Sequence, residues 1–229
     1  MTTFPTPFTQ YNRIMGFILS FSYDHIDPLT LIFNEYVSMC EGGWDPTIVI
    51  FTTSNWTDTM FRYVRQKTYC YRTGKSVPVR LDVYAKDVGT GLSMYHKPYL
   101  KKEIDNFDFF VYHEDDIMFK YSHLVAYLHE TKKLNDLLPD GGLRDHVIGF
   151  QRYRRLLRGG DLSTPYGEGD IFEQDLLEEV PSFTPVCRND EPFLHVTGNM
   201  HQAIWAFTTI QLRMLQTKCQ FMDHMQPSR

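Results

Sequence analysis

The chain has 229 residues, enough for one large domain or for two small ones that share an interface. Hydrophobic residues at 42% and charged residues at 22% are ordinary for a globular protein, and a net charge of -5 leaves no basic footprint for nucleic acid. No apolar run approaches the roughly 18 residues that a bilayer-crossing helix needs, so a membrane is met only through an anchor outside this sequence.

The opening "MTTFPTPFTQYNR" lacks a charged stretch followed by an apolar one and does not read as a signal peptide. "RIMGFILSFSYD", residues 13 to 24, is nearly all apolar and predicts a strand buried on both faces. "IDPLTLIFNEYVSMCEGGW" predicts a helix. Asp27 and Pro28 suit its first turn, Leu29, Ile32, Phe33, Tyr36 and Val37 recur at helical spacing, and Gly42 and Gly43 stop it. "PTIVIFTTS" is a second, β-branched strand, so the first forty residues of pattern form a parallel crossover unit. "TDTMFRYVRQKTYCYRTGK" predicts a second helix closed by Gly74, and "VPVRLDVYA" a third strand carrying Asp82 near its end. "HKPYLKKEID" is a short helical stretch before the strand "FDFFVYHEDD". "YSHLVAYLHETKKLNDLL" is an amphipathic helix with Leu124, Tyr127, Leu128 and Leu134 on one face.

Beyond residue 144 the periodicity weakens. "DHVIGFQRYRRLLRGGD" suggests a strand running into a basic segment, and residues 159–192 are rich in Gly, Pro and acids. "PFLHVTGNMHQAIWAFTTIQLRMLQTKC" gives a strand and a closing helix. Cys40, Cys70, Cys187 and Cys219 stand far apart without a CxxC pair, so they offer no zinc spacing, and a chain of this size needs no disulfide framework. One sequon, Asn55-Trp56-Thr57, permits N-glycosylation in a secretory lumen.

The chemistry concentrates in "HEDD". Glu114, Asp115 and Asp116 end an apolar strand, where three carboxylates repel one another and lose hydration. Open α/β sheets bind ligands at the carboxyl ends of their strands, and acids at i and i+2 there can share a divalent ion. Oxygen ligands favour Mg²⁺ or Mn²⁺, which commonly complete their shells with phosphate oxygens and water.

With this motif and its surroundings, the chain resembles a nucleotide-sugar glycosyltransferase of the GT-A fold, "HEDD" resembling that class's DxD-type metal motif as Glu-x-Asp. "YHEDDIMF…LVAYLHET", "HVIGFQRYRR" and "GNMHQAIWAFTTIQL" are together similar to a set of eukaryotic glycosyltransferases assigned to the Golgi, over residues 13 to about 216. The resemblance implies a three-layer α/β/α sandwich with a mostly parallel central sheet. It also implies one glycosyltransferase-like domain over 1–229, with a nucleotide-binding half at about 13–118 and an acceptor-side half at about 119–229. Asp116 and Glu114 would hold the metal, Mn²⁺ or Mg²⁺. Asp115 would stand behind them or touch the ribose or donor sugar. The end of the first strand, Ser22 to Asp24 with Tyr23, would face the nucleoside base, and Asp82 would reach the nucleoside. Partners would be a nucleotide-sugar donor and a glycan, protein or lipid acceptor. The class often takes a further metal ligand, frequently a histidine, from a late segment, and His224 in "FMDHMQPSR" is the histidine on offer.

Other residues carry two readings each. Before "AIW", His201 and Gln202 either clamp the donor or act on the acceptor, His201 as a base or phosphate donor, or they belong to a strand-to-helix turn capped by Asn199. Trp205 reads as core. Arg152 either neutralises diphosphate or, with Arg155 and Arg158, belongs to a solvated basic edge. The acids of "EGDIFEQDLLEEV" supply either an acceptor base or a solvated face. His113, His123, His129, His146 and His195 lie at no HExxH or comparable spacing and read as structural. A metal-dependent phosphohydrolase and a non-catalytic binding relative are the alternative functions. No P-loop, GxGxxG or GxSxG is present.

Overall fold

The computed structural model describes residues 12–21, 26–137, 155–157, 171–173, 182–188, 191–197 and 204–223. In chain order the elements are β1 (Arg13–Ser20), α1 (Ile26–Glu41), β2 (Asp45–Thr52), α2 (Asp58–Lys67), β3 (Tyr69–Cys70), β4 (Lys75–Ser76) and β5 (Val79–Val83). A kinked 3-10 stretch (Lys86–Met94), α3 (His96–Glu103), β6 (Phe109–Glu114) and α4 (Tyr121–Leu137) follow. Then come β7 (Arg155–Leu157), β8 (Ile171–Glu173), β9 (Ser182–Arg188), β10 (Glu191–Thr197), β11 (Ile204–Thr208) and α5 (Thr209–Cys219). The chain divides into two compact units, Gly149–Gln202 and the remainder. In the smaller unit β7 pairs antiparallel with β8, and β9 with β10.

The larger unit is α/β, built on a mostly parallel five-stranded sheet flanked by helices. Its strand order is β11-β6-β1-β2-β5, and only β11 runs antiparallel to its neighbour. β1 lies in the middle, buried at every residue after Arg13, as its uninterrupted apolar sequence requires. The pleat sends alternate side chains to opposite faces. Met15, Phe17, Leu19, Val49, Phe51, Phe110 and Tyr112 pack with Leu100 and Ile104 beside α3 and with Leu212 of α5. On the other face Tyr36 of α1 stacks with His113, and Tyr127 of α4 meets Phe109 edge-on. Among the described residues no helix is long and apolar enough to cross a membrane.

Local chemistry fixes the ends. The Asp108 carboxylate accepts from the backbone N–H of Asn12 (3.2 Å) and Arg13 (3.0 Å), tying the start of β1 to the start of β6. The Glu35 carboxylate of α1 accepts from the Tyr121 N–H at the head of α4 (2.9 Å), one of the donors a helix start leaves open.

Two elements differ from the sequence expectation. The second helix stops at Lys67 instead of running to Gly74. The Thr68 hydroxyl bonds back to the Val64 carbonyl (2.9 Å), and Tyr69–Cys70 then pairs with Lys75–Ser76 in a small hairpin whose turn holds Gly74 at φ +66°. Cys40 and Cys70 form a disulfide with Cα atoms 6.2 Å apart, so tertiary linkage overrides the helical pattern there. The "AIWAFT" segment is not the start of the closing helix but β11, which covers the open edge of β6. Helix periodicity begins only at Thr209, after Thr208 and Gln211 form a capping box.

Candidate functional site

From β1 the chain moves outward to β2 and β5, then returns to the other side of β1 as β6. That reversal creates a switch point between the carboxyl ends of β1 and β6, the place where open α/β sheets leave a crevice for ligands. Leu19 of β1 stands opposite Glu114 in register. The Asp115 N–H extends the ladder by one residue, donating to the Leu19 carbonyl (2.9 Å), and the Ile117 N–H closes the turn on the Glu114 carbonyl (3.1 Å). The acidic turn is therefore pinned directly on the switch point.

The three acids are not equivalent. Asp116 is exposed, Glu114 is half-buried, and Asp115 between them is only 6% exposed. Glu114 and Asp116 thus offer the i, i+2 oxygen pair, with Asp115 behind. Among the described residues no group of three His, Cys, Asp or Glu side chains is gathered to cage an ion. Carboxylate oxygens are the hard donors that Mg²⁺ and Mn²⁺ take, commonly through one or two protein carboxylates with phosphate and water completing the shell.

Beneath the turn lies a polar device centred on His113, which the sequence reads as a structural histidine but without its partners Tyr36 and Gly16. His113 is fully buried, and burial pushes its pKa down to about 4 against the opposing pull of backbone bonds and the nearby Asp116 charge. It is neutral at pH 7, and its Nδ1 lies 3.0 Å from the Glu114 carbonyl oxygen, which can only accept. Nδ1 therefore carries the proton, and Nε2 accepts from the Tyr36 hydroxyl at 3.3 Å. Burial keeps the Tyr36 phenol protonated well above its ordinary range, so that donor persists. The hydroxyl reaches His113 by crossing β1 at Gly16, where a Cβ would sit 2.0 Å from the Tyr36 oxygen. Only glycine lets helix α1 orient the histidine that braces the turn. An apolar strand interrupted by glycine opposite a helical tyrosine was the sequence signal, and it has no meaning without the register.

Next to the switch point, Thr53 and Ser54 after β2 donate their hydroxyls to the Phe21 carbonyl at 2.9 and 3.2 Å. Phe21 just after β1 keeps its ring 42% exposed, an unusual aromatic at this end of the sheet. Asp82 stands elsewhere, on edge strand β5, three strand spacings or about 14 Å from β6. One of its oxygens accepts from the Arg80 guanidinium (2.8 Å) and the other from the Tyr99 hydroxyl, while Arg80 stacks on the Tyr99 ring. On the opposite sheet face from His113, His96 is wedged among Tyr112, Trp205 and Phe17, and burial lowers its pKa to about 3. Trp205 is partly buried and packs against the core, stacked on Tyr112 and Phe207. Tyr23, Asp24, Arg152, His201, Gln202 and His224 lie outside the described residues. The structure thus brings together Glu114, Asp115 and Asp116 and stands Asp82 apart, engaged with its own partners. No protein-family model, curated protein or solved structure matches the chain.

Proposed function

We propose that this protein is a metal-dependent glycosyltransferase that moves a sugar from a nucleotide-diphosphate donor to an acceptor hydroxyl, in a secretory lumen such as the Golgi. The observation that carries the reading is the Glu114-x-Asp116 pair seated on the switch point of a mostly parallel sheet. The resemblance of "YHEDDIMF" to the metal motif of GT-A enzymes agrees with it.

In this reading Glu114 and Asp116 hold the divalent ion. When bound, it supplies positive charge against the charge that builds on the leaving diphosphate. Asp115, sunk behind the pair, raises the negative potential that attracts the cation. Neutral His113 fixes the turn through its bond to the Glu114 carbonyl without adding a competing positive charge. The exposed Phe21 ring offers a stacking face for the base of the nucleotide, one strand from the acids. Transfer breaks the bond from the anomeric carbon to the diphosphate, forms one to the acceptor oxygen and frees the acceptor's proton.

The test is a thermal-shift screen of UDP- and GDP-sugars with Mn²⁺ or EDTA, on the wild type and Asp116→Asn. At 100 times its dissociation constant a ligand stabilises the fold by about 2.7 kcal/mol. A metal-dependent shift in the wild type, absent in the variant, is expected. Donor hydrolysis without acceptor transfer would mark a phosphohydrolase instead, and metal-dependent binding without turnover a non-catalytic relative. No shift with any donor removes the nucleotide site.

A further inference from the structure

Two features unrelated to the acidic turn point to how the protein is made. The first is the Cys40–Cys70 disulfide, which joins the end of α1 to the β3–β4 hairpin with both cysteines buried, at 3% and 0% exposure. Its surroundings are built around the pairing. The Glu41 carboxylate accepts from the N–H groups of Tyr71 (2.5 Å) and Arg72 (3.1 Å). The Arg72 guanidinium in turn donates to the carbonyls of Cys40 (2.5 Å) and Trp44 (2.9 Å), closing the C-terminus of α1. Protein disulfides of this structural kind form in oxidising compartments, where two thiols give two protons and two electrons to a thiol–disulfide oxidant.

The second is the triplet Asn55-Trp56-Thr57 in the segment between β2 and α2. Asn55 is exposed and lies in irregular backbone, while Trp56 turns into the fold at 8% exposure and packs against Phe61. The Thr57 hydroxyl caps α2 by accepting from the Met60 N–H (3.4 Å), which explains a threonine at 57 but not an asparagine at 55.

We infer that Asn55 is an N-glycosylation site, modified in the same oxidising lumen in which Cys40 and Cys70 pair. The inference rests on the luminal part of the proposal above and is independent of glycosyl transfer by the protein itself. The Asn55 amide nitrogen forms a bond to the anomeric carbon of an oligosaccharide carried on a lipid diphosphate. The sugar–phosphate bond breaks, the lipid diphosphate leaves with the electron pair, and the amide loses one proton. The Thr57 hydroxyl is the third member that the host transferase requires.

The test uses the full-length protein from the cells that make it. Amidase release of N-glycans in ¹⁸O-water, followed by peptide mass spectrometry, should mark Asn55 as ¹⁸O-labelled aspartate. Alkylation under denaturing, non-reducing conditions should leave Cys40 and Cys70 unlabelled. Thr57→Ser keeps cap and sequon and should retain the glycan. Thr57→Asp keeps a good helix cap but destroys the sequon, and should lose it with the fold intact. An unmodified Asn55 beside an intact disulfide overturns the glycosylation site and leaves the compartment standing. An unmodified Asn55 with alkylated Cys40 and Cys70 overturns both.

Discussion

Lowering the pH from 7 to 4 confronts the fold with two histidines that it holds neutral. An unfolded histidine takes up a proton near pH 6.5, whereas folded His113 refuses it until about pH 4 and folded His96 until about pH 3. Well above pH 6.5 neither histidine is protonated in either the folded or the unfolded state, so stability there is at its full value. Between 6.5 and 4 the unfolded chain gains protons that the native chain does not, and stability falls with each unit of pH. Each residue withholds its proton over about 2.5 pH units of that interval, which amounts to about 3 kcal/mol apiece at pH 4. The sum, about 6 kcal/mol, is comparable with the whole stability of an ordinary domain. Urea denaturation followed by tryptophan fluorescence at half-unit pH steps measures it. Carboxylates titrate in the same range, so the informative quantity is the difference made by His113→Gln and by His96→Gln. Each should flatten the slope by about 1.4 kcal/mol per pH unit, whatever it does to stability at pH 7. A slope that neither variant changes refutes the buried, neutral assignment of both histidines.

Gly16→Ala should destabilise the protein by about 1–3 kcal/mol, since the new methyl falls on the Tyr36 ring and hydroxyl, and Tyr36→Leu in the same chain should recover part of the loss in denaturation midpoint. Tyr36→Phe leaves the buried His113 Nε2 without its donor and should cost about 1–3 kcal/mol, read by the same assay. Reducing Cys40–Cys70, which are 30 residues apart, should lower stability by about 3.6 kcal/mol, seen by comparing urea curves with and without reductant.

The central sheet was legible because β1, β2 and β6 are buried on both faces, and a strand so placed must be apolar throughout. Helices α1 and α4 were legible from their apolar spacing. The hairpin after α2 was not: "RQKTYCYRTGK" has the composition of an exposed helix, and what ends it is a covalent partner thirty residues earlier. β11 was hidden because "AIWAF" reads equally well as part of the apolar helix that follows; the Thr208-x-x-Gln211 capping box marks the junction in the sequence, and pairing with the edge of β6 makes the segment before it a strand. The acidic turn showed in the sequence, since three acids after "FFVYH" have no core reading. Its bracing did not, because Gly16, Tyr36 and His113 are scattered over almost a hundred residues and meet only through parallel register and a helix crossing. Of the partners of Asp82, Arg80 is its i, i+2 neighbour on β5 and visible in the sequence, while the bond from Tyr99 depends on α3 lying against β5.

The crossing of Tyr36 over Gly16 also ties the history of two positions together. A side chain can enlarge at 16 only in a lineage whose residue 36 has already become small, and that change strands the imidazole at 113. Sequences descended from a common ancestor with this protein should therefore change the three positions as a set, and those that retain the acidic turn should hold glycine, tyrosine and histidine together.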